Sequence, residues 1–337
     1  MNAKLPRMNH LHLIVPVLFL PAQASSAALA GLRLPHWEQL LARSAHSILP
    51  PAALEARLSD VFGVKGLAPL RARADGLAVC EGYWLCADPV ELQMQPSQVM
   101  LQPEVAGTEA EAQALCATLN AHFVQEGLRF FAPHPQRWYV QAQTPGEAVM
   151  TPLRAAAWRD VKALMPQGND ARRWWRLGNE IQMLLHQHPV NVARQQDGKP
   201  VINSLWLWGG GSASVPQPAC DAVGGLDALT LRCAQASGVA LPGDLHALLS
   251  SARERGLWVD AGLQDAWQRG DLFAHRTGLE QLENEIAAPV WQSLRKGRLN
   301  TLTLEVPTET ALHRFELTRA DCWKIWRRRR PLTVYPE

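Results

Sequence analysis

The last third of the chain alternates between short apolar runs and amphipathic segments, and this alternation constrains the fold more than any other feature. Apolar runs with the length of buried strands lie at residues 204–208, 257–260, 301–306 and 314–317. Helical spacing of apolar residues is found at 226–237, 244–254 and 279–294. Strands that alternate with helices form parallel or mostly parallel sheets. We therefore predict an α/β fold, with a mostly parallel sheet flanked by helices.

The middle of the chain has a different pattern. Alternating apolar and polar residues predict strands at 76–105 and 129–141. Helices are predicted at 109–125, 153–165 and 171–186, and a loop at 188–201. We therefore predict two regions, an α/β core made of residues 1–75 and 201–337 and an inserted mixed α+β region at 76–200.

The apolar run at residues 11–20 has two readings. Lys4 and Arg7 precede it and Ala22-Gln-Ala24 follows it, which is the order found in a secretory signal peptide. The run is short, however, and a buried first strand of a parallel sheet has the same appearance. We interpret it as that strand and predict a cytoplasmic protein, with the signal peptide as the alternative. No other segment reaches the ~18 apolar residues that span a bilayer.

The charge balance excludes one class of partner. The chain has 33 basic and 31 acidic side chains, and a net charge of +2 is too small to recruit nucleic acid through its field. The basic and aromatic segment 323–330 could contact RNA, an anionic lipid or an acidic partner, but four consecutive arginines are typical of a solvated segment. We predict no nucleic-acid partner and no membrane partner. Because the chain has 13 Trp, a protein partner docked on a tryptophan-rich surface stays open.

No motif in the chain predicts a metal site or a nucleophile. Its six Cys include no C-x-x-C pair, and its 11 His form no H-E-x-x-H. Asp260, Asp265 and Asp271 are close in sequence and could hold one cation, although a solvated loop has the same composition. A G-x-S-x-G nucleophile motif is absent from the sequence. We predict no catalytic residue, no metal ligand and no resident cofactor.

Polar residues cluster in the stretch from 179 to 211, around an apolar run that ends in three glycines. Glycines at the end of a strand let a ligand or another backbone approach closely. We predict a ligand-binding set in this stretch, in which Arg194 pairs with a phosphate or carboxylate. The predicted residues are His188, Asn191, Arg194, Asn203, Trp206, Trp208, Gly209 and Gly211. The alternative is structural: a helix end, a capped turn and a tight connection.

The same stretch resembles a known family. Its order of residues, from Asn179 through His188-Pro-Val-Asn191 to Trp206-Leu-Trp208 and the glycines, resembles the RpfE-type regulatory proteins of bacteria. Two further strings, at 82–92 and 132–139, are similar to that group. The group is a distant relative of the archaeal-type cofactor-independent phosphoglycerate mutases, in the alkaline phosphatase superfamily. The resemblance implies an α/β core like that of this superfamily.

The mutase resemblance implies a two-metal chemistry whose ligands are missing from this sequence. Those enzymes hold two divalent metals with Asp and His ligands, and a Ser takes the phosphoryl group. Here Pro21 follows the first apolar run where the mutases carry Asp-Gly, Trp267 stands where they carry His, and Pro307-Thr-Glu309 replaces Asp-His-Ser. The resemblance thus implies a catalytically degenerate protein that regulates, or senses a phosphorylated small molecule. The alternative is an active mutase or phosphatase that uses Mn²⁺ or Mg²⁺ at a divergent site.

Overall fold

The computed structural model describes residues 7–251 and 253–335 and separates the chain into two compact units. Unit 1 comprises Met1–Gly63 and Gln217–Glu337, and unit 2 comprises Val64–Pro216. These boundaries differ from the predicted ones at 76 and 200, because the strand that follows residue 203 belongs to unit 2. Lys4, which enters the signal-peptide alternative, lies outside the described residues.

The elements are numbered along the chain. In the described residues the strands are β1 (Met8–Ile14), β2 (Ala45–Leu49), β3 (Tyr83–Met94), β4 (Val99–Gln102), β5 (Leu128–His134), β6 (Arg137–Ala142), β7 (Ser204–Ser212), β8 (Ala222–Gly225), β9 (Arg255–Val259), β10 (Leu299–Pro307) and β11 (Leu312–Thr318). The α-helices are α1 (Ala22–Ala28), α2 (Pro35–Arg43), α3 (Leu54–Phe62), α4 (Ala68–Ala74), α5 (Glu109–Phe123), α6 (Leu153–Ala156), α7 (Ala171–His186), α8 (Pro189–Gln196), α9 (Ala228–Ala236), α10 (Leu245–Ser250), α11 (Gly262–Gln268), α12 (Leu272–Leu282) and α13 (Ala288–Arg295). A π-helical turn, Glu283–Ala287, joins the last two helices.

Unit 1 is built on a six-stranded sheet in the order β2-β11-β10-β1-β9-β8. The four strands from β10 to β8 are parallel to their neighbours, and β11 is antiparallel to both β10 and β2. The prediction of an α/β fold with a mostly parallel sheet and flanking helices is therefore confirmed. The reading of the first apolar run as a strand is confirmed for Met8–Ile14.

Side-chain alternation along β1 divides the two faces of this sheet. Leu11 and Leu13 are fully buried in an apolar core that includes Trp37 and Trp291. Because successive strand residues point to opposite faces, His10 and His12 lie on the other face. The second face thus carries polar groups at the middle of the sheet.

Unit 2 is built on a five-stranded antiparallel sheet in which β4, β3, β6 and β5 follow one another and β7 pairs with β3. The run at 204–208 was predicted as a strand of the parallel core, and that placement was wrong. The strand contacts both α4 and α7, so its side chains are buried on both faces. Burial on both faces produces the continuous apolar run that is also typical of a parallel-sheet strand.

Two local predictions in unit 2 were also wrong. The loop predicted at 188–201 contains the helix α8, which begins with Pro189 at its first turn and is short and polar. The helix predicted at 153–165 ends at Ala156. Trp158 has a φ of 62°, in the left-handed region that a helix cannot continue through. Within the described part of the chain, no helix combines the length and the apolar character needed to cross a membrane.

Candidate functional site

The predicted ligand-binding residues lie in unit 2, on α8, on β7 and on the residues that precede them. His188 is the N-cap of α8, and its Nδ1 accepts a hydrogen bond from the backbone N–H of Val190 at 3.2 Å. Its Nε2 lies 3.0 Å from the hydroxyl of Thr118. Burial lowers the pKa of His188, which favours the neutral ring that capping requires. Both ring nitrogens therefore have partners inside unit 2.

Asn191 joins the end of α7 to the segment before β7. Its Nδ2 donates to the carbonyl oxygens of Leu185 and Ile202, both at 2.8 Å. Its Oδ1 accepts from the backbone N–H of Ile202 at 2.9 Å. The side chain is buried, so this amide satisfies backbone groups that would otherwise be without partners.

Arg194 is the one arginine of the predicted set, and it is buried, with 2% of its surface exposed. Its Nε donates to the carbonyl of Pro200 at 2.7 Å, and its Nη1 and Nη2 donate to that of Ala106 at 3.1 Å. Nη1 also lies 3.0 Å from Oε2 of Glu111. Burial raises the pKa of Glu111, but hydrogen bonds from Thr108 and Arg194 outweigh it and lower that pKa. The guanidinium is therefore held by acceptors of the protein itself.

The other predicted side chains hold β7 in its sheet. Asn203 bonds the backbone of Leu92 twice, accepting at 2.7 Å and donating at 3.0 Å. The indole N–H of Trp206 donates to the carbonyl of Thr151 at 2.8 Å. The indole N–H of Trp208 donates to a carboxylate of β3, also at 2.8 Å.

The glycines of β7 allow a close backbone contact within unit 2. Gly209 has a φ of 67°, which other residues rarely adopt. A Cβ on Gly66 would overlap the carbonyl oxygen of Gly210, and one on Gly211 would lie 3.1 Å from Cα of Gly66. The glycines thus allow the backbone at Gly66 to pack closely against β7, as the structural interpretation of this stretch predicts. Ligand binding by the eight residues stays a prediction.

A buried ion pair beside β7 was not among the predicted residues. Arg71 of α4 donates to both oxygens of Asp88 of β3, from Nη1 at 2.8 Å and from Nη2 at 2.7 Å. Asp88 is also the carboxylate that accepts from Trp208. A bidentate pair with a further donor is well satisfied, and it ties α4 to the sheet. The signal for it was present, because Asp88 lies in the string 82–92 that carries part of the family resemblance.

The carboxyl ends of parallel strands are where α/β proteins commonly bind ligands. In unit 1 this edge begins with the loop after β1, where Val17 has a φ of 58°, a strained conformation for a β-branched residue. Its N–H donates to the carbonyl of Pro307 at 3.0 Å, and its carbonyl accepts from Nε2 of His275 at 3.0 Å. The strained loop is therefore anchored to β10 and to α12.

Glu305 of β10 is the centre of a charge cluster at the same edge, and its surface is 1% exposed. Arg57 of α3 donates to both oxygens, from Nε at 2.9 Å and from Nη2 at 3.0 Å. Arg314 of β11 donates to Oε1 from Nε at 3.0 Å and from Nη2 at 2.8 Å, and Nε2 of His12 lies 3.1 Å from Oε2. Burial raises the pKa of Glu305, but the neighbouring His12 and the hydrogen bonds from Arg57 outweigh it and hold that pKa well below its ordinary value.

Two further carboxylates follow β8 and β9. Asp260 is buried, and its Oδ1 accepts from the N–H of Gly262 at 3.0 Å. Burial raises the pKa of Asp260, and the charges of Asp227 and Asp265 raise it further. Asp227 caps α9 by accepting from the N–H and the hydroxyl of Thr230. Among the residues that the structure describes, no group of three or more His, Cys, Asp or Glu side chains could hold a metal ion.

The side chains of Glu305 and Trp267 do not fit the two divalent metals that the mutase resemblance implies. A divalent cation needs carboxylate or imidazole lone pairs that are free to coordinate it. Those of Glu305 are engaged by two guanidinium groups, whose charge also repels a cation. Trp267, which stands where the mutases carry His, packs against an apolar cluster of Val17, Leu20 and Ala28.

The sequence of the chain is similar to those of phosphoglycerate mutases. Over 186 residues it is 28% identical to the 2,3-bisphosphoglycerate-independent phosphoglycerate mutase of Methanosarcina mazei. The matched region is 51% of this chain and 45% of that protein. A probable mutase of the same name from Geobacter sulfurreducens is 27% identical over 203 residues, 55% of this chain and 50% of that protein. The chain is a distant homologue of archaeal-type cofactor-independent phosphoglycerate mutases. No protein-family model matches it.

The sequence match to these mutases covers only part of their length. The chain spans about half the length of the curated mutases that it matches. A solved structure, that of the PH0037 protein from Pyrococcus horikoshii, has a TM-score of 0.56 to this chain at 14% identity. The match covers 93% of this chain and 88% of that one, and it shows a shared fold.

Proposed function

We propose that this mutase homologue is a regulatory protein of the RpfE type, which binds a phosphorylated small molecule without interconverting phosphoglycerates. The homology to phosphoglycerate mutases supports the ligand class, and the sequence strings similar to the RpfE-type group support the regulatory role. The proposal assigns no catalytic residue and no resident cofactor.

The main support for this proposal is the carboxylate of Glu305, which is bonded to two arginine side chains. In two-metal phosphoryl transfer, the cations neutralise the phosphate and orient the attacking group. The carboxylate of β10, at the edge of the sheet where ligands commonly bind, accepts hydrogen bonds from the guanidinium groups of Arg57 and Arg314, and His12 lies beside it. Two guanidinium charges bonded to this carboxylate neutralise it and repel a dication, which supports a structural role for this part of the edge.

A second candidate function is an active mutase or phosphatase that uses Mn²⁺ or Mg²⁺ at a divergent site. Asp260 favours it, because this buried carboxyl group lies near the charges of Asp227 and Asp265. A bound dication would relieve the repulsion that raises the pKa of Asp260.

A turnover assay separates the two candidates. The purified protein is supplied with Mn²⁺ and 3-phosphoglycerate, and 2-phosphoglycerate is measured, with the M. mazei mutase as positive control. We expect no product above the protein-free background, and saturable binding of 3-phosphoglycerate by calorimetry. Manganese-dependent product that scales with protein concentration and disappears in Asp260→Asn would establish the second candidate.

A further inference from the structure

A cavity of about 560 Å³ lies in unit 1 between β2 and the segment 326–335. Its volume falls within the range of roughly 300–1,000 Å³ that small-molecule sites occupy. The residues that line it include Ser44, His46, Trp326, Arg328, Arg330 and Tyr335. None of them belongs to the Glu305 cluster or to the predicted set on β7.

The segment that forms one wall is fixed to the rest of unit 1. Arg327 donates from Nη1 to the carbonyl oxygen of Ser44 at 2.8 Å and to that of Arg43 at 3.3 Å. Arg43 in turn donates to the carbonyl of Cys322 and lies over the ring of Trp291 at 4.8 Å. The side chain of Arg327 therefore ties this wall to the end of α2.

Two arginines of the wall have no ion-pair partner among residues 7–251 and 253–335. Arg328 and Arg330 are exposed, and neither has a hydrogen bond or an ion pair with any residue the structure describes. Two neighbouring cations do interact with carboxylates. The charge of Arg329 opposes the rise in the pKa of Glu38 that burial causes, and Lys324 forms an ion pair with Asp321. Two guanidinium groups that no described carboxylate pairs with line the cavity, which makes it attractive to an anion.

Aromatic rings make the base of the cavity rigid. The ring of His46 stacks on Phe315 with centroids 4.2 Å apart, and Tyr335 stacks on Phe19 at 5.1 Å. Burial raises the pKa of Tyr335, and Arg330 lines the same cavity. The phenol is therefore protonated at neutral pH and can donate a hydrogen bond beside the guanidinium.

We propose that this cavity binds a phosphate-bearing anion through Arg328 and Arg330. Guanidinium forks match pairs of phosphate oxygens, and such charge-assisted bonds are the strong ones. The inference rests on the proposed function for its choice of a soluble phosphate ester. A lipid headgroup supplies the same chemistry, and the exposed side chains of Trp323 and Ile325 lie near the wall in sequence, as membrane-surface residues would.

The test compares two charge-matched double variants of the full chain. Arg328→Gln with Arg330→Gln removes the proposed contacts, and Arg253→Gln with Arg298→Gln removes two exposed arginines that do not line the cavity. Calorimetry measures the binding of 3-phosphoglycerate and of inorganic phosphate. Sedimentation measures binding to vesicles of phosphatidylglycerol and, as a control, of phosphatidylcholine.

We expect wild-type protein and the control variant to bind 3-phosphoglycerate alike, and the cavity variant to bind about tenfold or more weakly. Unchanged affinity in the cavity variant would overturn the site and leave the proposed function standing. Binding to phosphatidylglycerol vesicles alone, lost in the cavity variant, would keep the site and remove the soluble ligand of the proposed function. Wild-type protein that binds none of the probes would overturn both.

Discussion

The guanidinium of Arg57 holds both oxygens of Glu305, with Nε 2.9 Å from Oε2 and Nη2 3.0 Å from Oε1. Arg57 lies on α3, before unit 2 in the chain, and Glu305 lies on β10, after it. The pair therefore joins the two chain segments that make up unit 1. At the edge of the sheet where α/β proteins commonly bind ligands, this protein has a salt bridge between two segments of unit 1.

Replacing Glu305 by Gln should destabilise the protein by about 2–4 kcal/mol, because it leaves Arg57 and Arg314 without their carboxylate. Both arginines keep some exposure, which holds the cost below that of a fully enclosed pair. Urea unfolding at pH 7 measures the change, with Glu316→Gln on the exposed side of β11 as the control. Equal stability of the Glu305 variant and wild type would contradict this role.

The free energy of unfolding should depend on pH through the titration of Glu305. Its pKa in the folded protein is below the ordinary 4.5, so the unfolded chain takes up the proton first as the pH falls. The stability that Glu305 contributes is therefore fully present above about pH 4.5 and is lost below it, towards the folded-state pKa. Urea unfolding at pH 6 and pH 3 measures the difference in free energy of unfolding between wild type and Glu305→Gln. We expect this difference to be smaller at pH 3. A difference that widens on acidification would show that the sign is wrong.

Arg194→Met should cost about 1–3 kcal/mol of stability, because it removes the hydrogen bonds to the carbonyl oxygens of Ala106 and Pro200 and the ion pair with Glu111. The matched control is Arg172→Met, at an exposed position of α7. Thermal and urea unfolding measure both variants. A stable Arg194→Met protein that has lost 3-phosphoglycerate binding would instead support the predicted ligand-binding set.

Two glycine substitutions in unit 2 should have opposite signs. Gly66→Ala places a Cβ against the carbonyl oxygen of Gly210, so we expect a loss of stability of more than about 2 kcal/mol. Gly178→Ala lies within α7, where a Cβ meets no atom within 4 Å, and should gain about 0.5–1 kcal/mol. Denaturant midpoints of the two variants give the comparison. A neutral Gly66→Ala would show that the close backbone contact is not tight.

Much of the fold could be predicted from periodicity. Helix α7 spans Ala171–His186, as its helical spacing predicted, and alternation in the last third gave the correct fold class. Pairing partners could not be predicted, because an apolar run such as β7 records burial and not the strand beside it. Helix α8 was missed because it has only eight residues, half of them polar, and its first turn depends on Pro189 and the His188 cap.

The candidate site could be predicted less well than the fold. Arg57 and Glu305 are 248 positions apart, and nothing in the local sequence of either residue indicates the other. The predicted set was visible because its residues are close in sequence, yet residues close in sequence also form the caps and turns that the structure shows at His188 and Asn191. Which polar groups meet is decided by topology, and a single sequence does not record it.

The metal content of the purified protein tests the central claim most directly. The protein is incubated with Mn²⁺, passed through gel filtration and analysed by elemental mass spectrometry, and 3-phosphoglycerate turnover is measured on the same sample. We predict manganese far below one equivalent per chain and no 2-phosphoglycerate. Near-stoichiometric manganese together with turnover would contradict the claim, because it would show that this chain holds a working metal site despite the Arg57–Glu305–Arg314 cluster.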